Sequence, residues 1–177
     1  RNPSSQSLRR LHIGIGDDTA AWEGSTALQL ATTDSLVEDV HFSFDVCSWA
    51  DLGHKSLAVN LSDIAAMGGH PLYALVALSC PGDVDSESVL AYLRDMLSLA
   101  SLQGVVIAGG NLTSSPQVYS TVTVFGEVQE GAVMRRSMAR AGQQIVVTGS
   151  LGASAAAVAA LKTEIATNVP LPLLHAL

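Results

Sequence analysis

An α+β fold built on a mixed sheet is what this 177-residue chain predicts, and three observations predict it. Strand-like and helix-like patterns follow one another as strand, helix, strand, helix, strand, strand, unlike the strict alternation of a doubly wound sheet. The segment from Val118 to Val128 alternates side by side, with Val118, Ser120, Val122 and Val124 against Tyr119, Thr121, Thr123 and Phe125, the period of a strand with two different faces. Two stretches, 51–67 and 86–104, repeat their apolar residues at helical spacing instead.

Composition sets the limits. With 48% hydrophobic and 14% charged residues the chain is compact rather than disordered, long enough for one core and for one to two domains. A net charge of −7, with 9 Lys and Arg and no basic stripe, argues against nucleic acid as a partner. An acidic protein meets anionic phosphates through divalent cations. No apolar run reaches the roughly 18 residues of a membrane span, and the polar Arg1–Arg10 stretch leads into no signal-peptide core, so neither membrane nor export is expected. Cys47 and Cys80 have no closely spaced partners. A reducing, cytoplasmic compartment is the expectation, with a disulfide between the two left open.

In chain order, Ala27 to Thr33 alternates as a strand ending at Thr32-Thr33-Asp34, and Val37 to Phe42 reads as an irregular acidic loop. A helix runs from Ser48 or Asp51 to Met67, with Leu57, Leu61, Ile64 and Ala65 on its apolar face and Gly68-Gly69 and Pro71 as its stop. Asn60 and Asp63, three apart, share a neighbouring face. Leu72 to Ser79 is an apolar strand, and Pro81-Gly82-Asp83 a turn. A second helix opens at Asp85-Ser86-Glu87, buries Val89, Leu90, Leu93, Met96, Leu97 and Ala100 with Tyr92 at the stripe or its edge, and ends at Gly104. Val105 to Ala108 is a short buried strand running into a Gly109-Gly110-Asn111 turn. After Val128, Gly131 to Ala141 carries Arg135, Arg136, Ser137 and Arg140. Ile145 to Gly149 reads as another buried strand, followed by an Ala-rich helix from Ala153 to about Lys162. The expected organisation is one domain over 1–149 and the start of a second over 150–177, with a helix ending near Thr167 before Pro170 and Pro172.

Four stations carry the chemistry. Gly14-Ile15-Gly16 precedes the adjacent carboxylates Asp17 and Asp18, whose mutual repulsion a nearby cation relieves. Thr32, Thr33 and Asp34 offer three oxygens at a strand end, Asp63 stands among small helix residues, and Gly109-Gly110-Asn111 lets backbone amides and one side-chain carbonyl approach a ligand. Each station has a plain reading as well: an exposed turn or helix N-terminus for the first, a strand-end cap for the second, a solvated helix face for the third and a glycine turn for the fourth. His41 is an ordinary loop histidine on the same footing. Together, hard oxygen donors without a His or Cys cluster point to magnesium shared with phosphates. No Gly-x-x-x-x-Gly-Lys-[Ser/Thr] and no Gly-x-Ser-x-Gly occurs, which excludes a P-loop kinase and weakens hydrolase readings.

The ordered set Gly14-Ile-Gly-Asp-Asp18, Thr32-Thr-Asp-Ser-Leu-Val37 with His41-Phe42, Lys55-Ser-Leu-Ala-Val-Asn-Leu-Ser-Asp-Ile-Ala-Ala-Met-Gly68, Gly109-Gly-Asn-Leu-Thr113 and Val147-Thr-Gly149 resembles the thiamine-monophosphate kinases. These belong to the ATP-dependent superfamily of aminoimidazole ribonucleotide synthetase. The resemblance implies a mixed, largely antiparallel sheet with helices on one face, the sheet forming a dimeric barrel-like interface. It implies magnesium-dependent, direct in-line transfer of a phosphoryl group from ATP to thiamine monophosphate, giving thiamine diphosphate, with no catalytic side chain that forms a covalent intermediate. Asp18, Thr32, Thr33, Asp34, Asp63 and Asn111 would ligate magnesium, Gly110, Asn111 and Arg136 would meet ATP, and His41 would meet the substrate. A homodimer through the sheet is the expected assembly. Asn111 stands where the family commonly has Asp, and Met138-Ala139 follows where Gly-Ala is usual. The acids of the family's second domain have no counterpart before Leu177. Two other readings are a relative with a different phosphate acceptor and a dimerisation module without catalysis.

Overall fold

The computed structural model describes residues 3–147, 149 and 151–161. In order these form α1 (Pro3–Arg10), β1 (Leu11–Ile13), β2 (Ala21–Trp22), β3 (Leu28–Val37), α2 (Trp49–Ala66), β4 (His70–Cys80), α3 (Ser86–Gln103), β5 (Val106–Ser114), β6 (Tyr119–Val128), a 3-10 turn at Arg136–Met138 and α4 (Ala153–Leu161). The chain divides into two compact units, Arg1–Arg136 and Ser137–Leu177, so the expected boundary at 149/150 lies inside the second. The fold is the expected α+β, and it adds α1 and the β1–β2 hairpin, too short and polar to declare themselves in the sequence.

The main sheet has the order β3-β6-β4-β5, antiparallel between β3 and β6 and between β6 and β4, and parallel between β4 and β5. Helices α2 and α3 cover one face. Leu52, Leu57 and Ile64 of α2 and Tyr92, Met96 and Ala100 of α3 pack there against Ala74, Val76, Val122 and Val124. On the opposite face Trp22 stacks on Tyr73 with ring centroids 4.7 Å apart and lies 5.3 Å from Phe125. Arg10 ties the hairpin region to β6 through Glu127, at 2.9 Å. Burial pushes the Glu127 carboxyl up, but the hydrogen bonds from Ser25 and Arg10 outweigh it and hold the group below its ordinary range. That contribution to stability is therefore present near neutral pH and is lost as pH falls through the lowered value.

Local chemistry sets the helix ends. Ser48 and Asp51 form a reciprocal capping box at the start of α2, and the Ser48 hydroxyl and amide lower the Asp51 carboxyl. Asp85 caps α3, which ends at Gly104 in the left-handed region with φ 71°. In the core, the Ser120 hydroxyl donates to Ser56 Oγ at 2.8 Å and lies 2.7 Å from Tyr92 Oη, while Ser56 Oγ donates to Leu52 O. Burial raises the Tyr92 phenol. Asn60 is fully buried rather than beside Asp63 at the surface, and donates to Ser56 O.

Four expectations change. Strand β3 continues to Val37, because its ten residues all find partners on β6, so Asp34 sits mid-strand rather than at a strand end. Gly109-Gly110-Asn111 is no turn: it lies within β5, paired with Leu75, Val76 and Ala77 of β4. On α3 the buried line is Tyr92, Met96 and Ala100, rotated from the expected stripe, and Leu90, Leu93 and Leu97 are 39, 36 and 52% exposed. Residues 145–147 form no strand. Ile145, Val146 and Val147 are 97, 80 and 54% exposed, with no ladder partner among the described residues; Thr148 lies outside them, as do Thr167, Pro170 and Pro172.

The tightest helix contact is at Gly53, where a Cβ would stand 2.1 Å from the carbonyl oxygen of Tyr92. Gly53→Ala is expected to force α2 from α3 and cost about 1–3 kcal/mol, read as a lower urea midpoint at unchanged slope.

Candidate active site

Cross-strand partners share a face of a pleated sheet, so the register sorts the site residues. One row across the four strands reads Asp34, Val122, Val76, Gly110, and the next reads Ser35, Thr121, Ala77, Asn111. Val122 and Val76 are core residues, which puts Asp34 on the helix-covered face. Thr32 lies on that face too, and its hydroxyl donates to Asp63 Oδ2 of α2 at 2.7 Å. Thr33 points the other way: it donates to Val122 O and accepts from Thr123 Oγ1 at 3.0 Å.

A cleft of about 500 Å³ opens on the uncovered face. The loop 14–20 forms one wall, bringing Asp17, Asp18 and Thr19; β5 brings Gly109, Gly110 and Asn111; and Thr121 and Thr123 line the floor. Gly16, with φ 120°, makes the turn that presents the two acids. The Asp18 amide donates to Asp17 Oδ1 at 2.8 Å, which ties the Asp17 carboxylate back to its own loop, while the Asp18 carboxylate makes no hydrogen bond or ion pair among the described residues. Gly110 is required for a different reason: a Cβ there would stand 2.0 Å from Val76 O, so only glycine lets β5 run this close to β4.

The expected residues thus form two groups. Asp18, Gly110 and Asn111 line one cleft at the β5 edge, whereas Thr32 meets Asp63 at the β3 edge, with Asp34 two residues further along the same face of β3, three strand spacings or about 14 Å away. Among the described residues no three His, Cys, Asp or Glu side chains come close enough to hold a metal ion. Arg136 is exposed in the 3-10 turn and is not part of the cleft wall.

His41 sits in a tight turn, not an irregular loop. Asp39 adopts φ 62° and its amide donates to Phe42 O, while the Val37 amide donates to His41 Nδ1 at 3.1 Å. With Nδ1 accepting, the neutral ring carries its proton on Nε2. Lys55 of α2 holds the turn from outside, donating to His41 O at 2.8 Å. Thr121 and Thr123 are site-lining residues that motif reading passed over; the alternation of β6 put them on one face, but only the sheet register assigns that face to the cleft.

The fold is that of the AIR synthase related N-terminal domains. Residues 16–128 match the family model described as AIR synthase related protein, N-terminal domain, and the chain belongs to that family. The chain is 40% identical over 154 residues to the thiamine-monophosphate kinase of Bacillus subtilis, covering 86% of this chain and 47% of the relative. It is similar to the crystal structure of thiamine-monophosphate kinase from Stenotrophomonas maltophilia K279a, with a TM-score of 0.82 at 33% identity over 96% of this chain and 54% of that one. A structure described as AaThiL complexed with AMPPCP and TMP matches with a TM-score of 0.77 at 30% identity, over 97% of this chain and 54% of that one. The chain spans about half the length of the curated relatives it matches.

Lys55→Met is expected to free the His41 turn without unfolding α2, since Lys55 is exposed and its ammonium donates to the turn. Hydrogen exchange at residues 38–42 should quicken several-fold while the thermal midpoint moves by less than the equivalent of about 0.5 kcal/mol.

Proposed function

We propose that this chain is the ATP- and magnesium-binding half of a thiamine-monophosphate kinase, transferring a phosphoryl group from ATP to thiamine monophosphate to give thiamine diphosphate. The observation that carries the reading is the cleft that brings Asp18 of the 14–20 loop together with Gly109, Gly110 and Asn111 of β5; the kinase relatives supply the acceptor. The donor set is all oxygen, which fits magnesium. Asp18 and Asn111 at the β5 edge, and Thr32, Asp34 and Asp63 at the β3 edge with Thr33 on the opposite face of that strand, would hold it, and magnesium bound there would offset phosphate charge. The protein's own part is positioning: Gly110 offers backbone to the phosphates, Arg136 a guanidinium, and His41 an Nε2–H to the acceptor. No side chain is assigned a covalent role. The compartment we assign is the cytoplasm, in keeping with two free cysteines and with no helix among the described residues long and apolar enough to cross a membrane.

The separation of the two groups supports a homodimer through the sheet. Both β3 and β5 are edges among the described strands. If β3 of each copy met β5 of the other, eight strands would close into a barrel, and the Asp34 edge of one copy would lie beside the Asp18 edge of its partner.

Thiamine diphosphate formation by the full gene product, given ATP, magnesium and thiamine monophosphate, tests the reading; no product with that acceptor overturns it. Asp18→Asn and Asp34→Asn chains should each lose at least tenfold in rate. When they are mixed and allowed to exchange, activity should recover to about a quarter of wild type, because half the dimers then hold one intact site. No recovery would mean that each site is built from one chain. Asn111→Asp restores a formal charge and should lower the magnesium concentration for half-maximal rate several-fold, measured by magnesium titration.

A further inference from the structure

The loop 14–20 that carries Asp18 is fixed at its base. Among the described residues its own hydrogen bonds are local, from the Asp18 amide to Asp17 Oδ1 and from the Thr19 hydroxyl to Ala20 O, and none reaches the main sheet. The short strands on either side of it carry the attachment instead. Leu11 and Trp22 pack against Leu72, Tyr73 and Ala108. Apolar contact of that kind is non-directional, so it keeps the hairpin on the sheet without setting its angle.

Arg10 supplies the direction. It stands immediately before β1, and Glu23 immediately after β2. The Glu23 amide donates to Arg10 O at 2.8 Å and Arg10 Nε donates to Glu23 O at 2.9 Å, so one residue closes the base of the loop with both its backbone and its side chain. The same guanidinium turns Nη1 to Glu127 Oε2 at 2.9 Å. Glu127 belongs to the inner strand β6, is paired with Gln29 of β3 and His70 of β4, and lies four residues from Thr123 of the cleft. Ser25, two residues beyond Glu23, donates to the same carboxylate oxygen at 2.6 Å. With their side chains 13 and 17% exposed, Arg10 and Glu127 form a pair that salt screens weakly.

We infer that Arg10 is a positioning residue for Asp18: by clasping the loop base to Glu127 it sets where the Asp18 carboxylate stands relative to Asn111. The inference rests on the magnesium and ATP reading of the cleft. A planar guanidinium aims two donors at two acceptors at a fixed angle, here a carbonyl of the loop base and a carboxylate of the sheet, which a lysine ammonium does not do. A tilt at the base is carried through the loop to Asp18, and a metal-ligating carboxylate moved by a fraction of an ångström binds less well.

The test uses the full gene product. Without metal, Arg10→Met should quicken hydrogen exchange at residues 11–13 and 21–23 several-fold. By calorimetry in magnesium, it should weaken ATP binding about tenfold. Glu127→Gln, which keeps the side chain's size and leaves the Arg10–Glu23 bonds in place, should weaken it less but measurably. Arg9→Met, which removes the same charge from an exposed position on α1, should leave it unchanged. In an Asp18→Asn background, which keeps an oxygen ligand, Arg10→Met should cost less than about twofold further. Wild-type exchange or wild-type ATP binding in both Arg10→Met and Glu127→Gln, or an equal loss with and without Asp18, overturns the positioning role and leaves the cleft reading standing. Failure of the unaltered protein to bind ATP with magnesium overturns both.

Discussion

In a pleated sheet a side chain reaches only one face, and β6, paired on both of its edges, carries that restriction from β3 through β4 to β5. The position of every oxygen-bearing residue follows from it. Asp34 is committed to the helix-covered face by its row with Val122 and Val76, and Asn111 to the cleft face by its row with Thr121 and Ala77. A slip of one residue in the β4–β5 pairing would turn the Asn111 amide among the core aliphatics, and one in the β3–β6 pairing would turn Asp34 to the face opposite Thr32 and Asp63. The apolar core holds the register against such a slip, so packing and site geometry are one constraint.

The same core depends on close backbone approach. Gly110 lets β5 lie against β4 and Gly53 lets α2 lie against α3, and in both places a methyl group would meet a carbonyl oxygen near 2 Å. Between the layers the chain of hydroxyls from Tyr92 through Ser120 to Ser56 satisfies polar groups that would otherwise be stranded at that depth. Helix α2 is thereby fixed along β3, and its exposed side delivers Asp63 to Thr32 at one end and Lys55 to the His41 turn at the other. A single helix thus aligns a candidate metal station with a candidate acceptor station.

Periodicity made the six central elements legible. The strict alternation of β6, the Ser48 and Asp85 helix starts and the Gly104 stop are all local signals, and the structure places α2 and α3 within a residue or two of the expected ends. Where local signals conflicted with pairing, pairing won. Gly-Gly-Asn carries turn chemistry, yet β4 offered a full set of partners and the strand ran through. Thr32-Thr33-Asp34 suggested a strand end, yet β6 was long enough to pair on to Val37. The run at 145–147 had strand composition, and with no partner strand among the described residues its aliphatic side chains stay in water.

The sequence by itself determined which chemistry the site can perform: oxygen donors in a fixed order, glycines beside them, and no nucleophile or thiolate cluster. Those are properties of residue type and spacing, independent of how the chain packs. Only the tertiary structure decided that the donors form two groups at opposite edges of one sheet, that Asp17 is tied back to its own turn while Asp18 is not, and that Thr121 and Thr123 belong to the cleft. The reason is that facing and edge position depend on strand order and register. These are set by contacts between residues as far apart in the chain as Thr33 and Thr123, a separation over which no local pattern carries information.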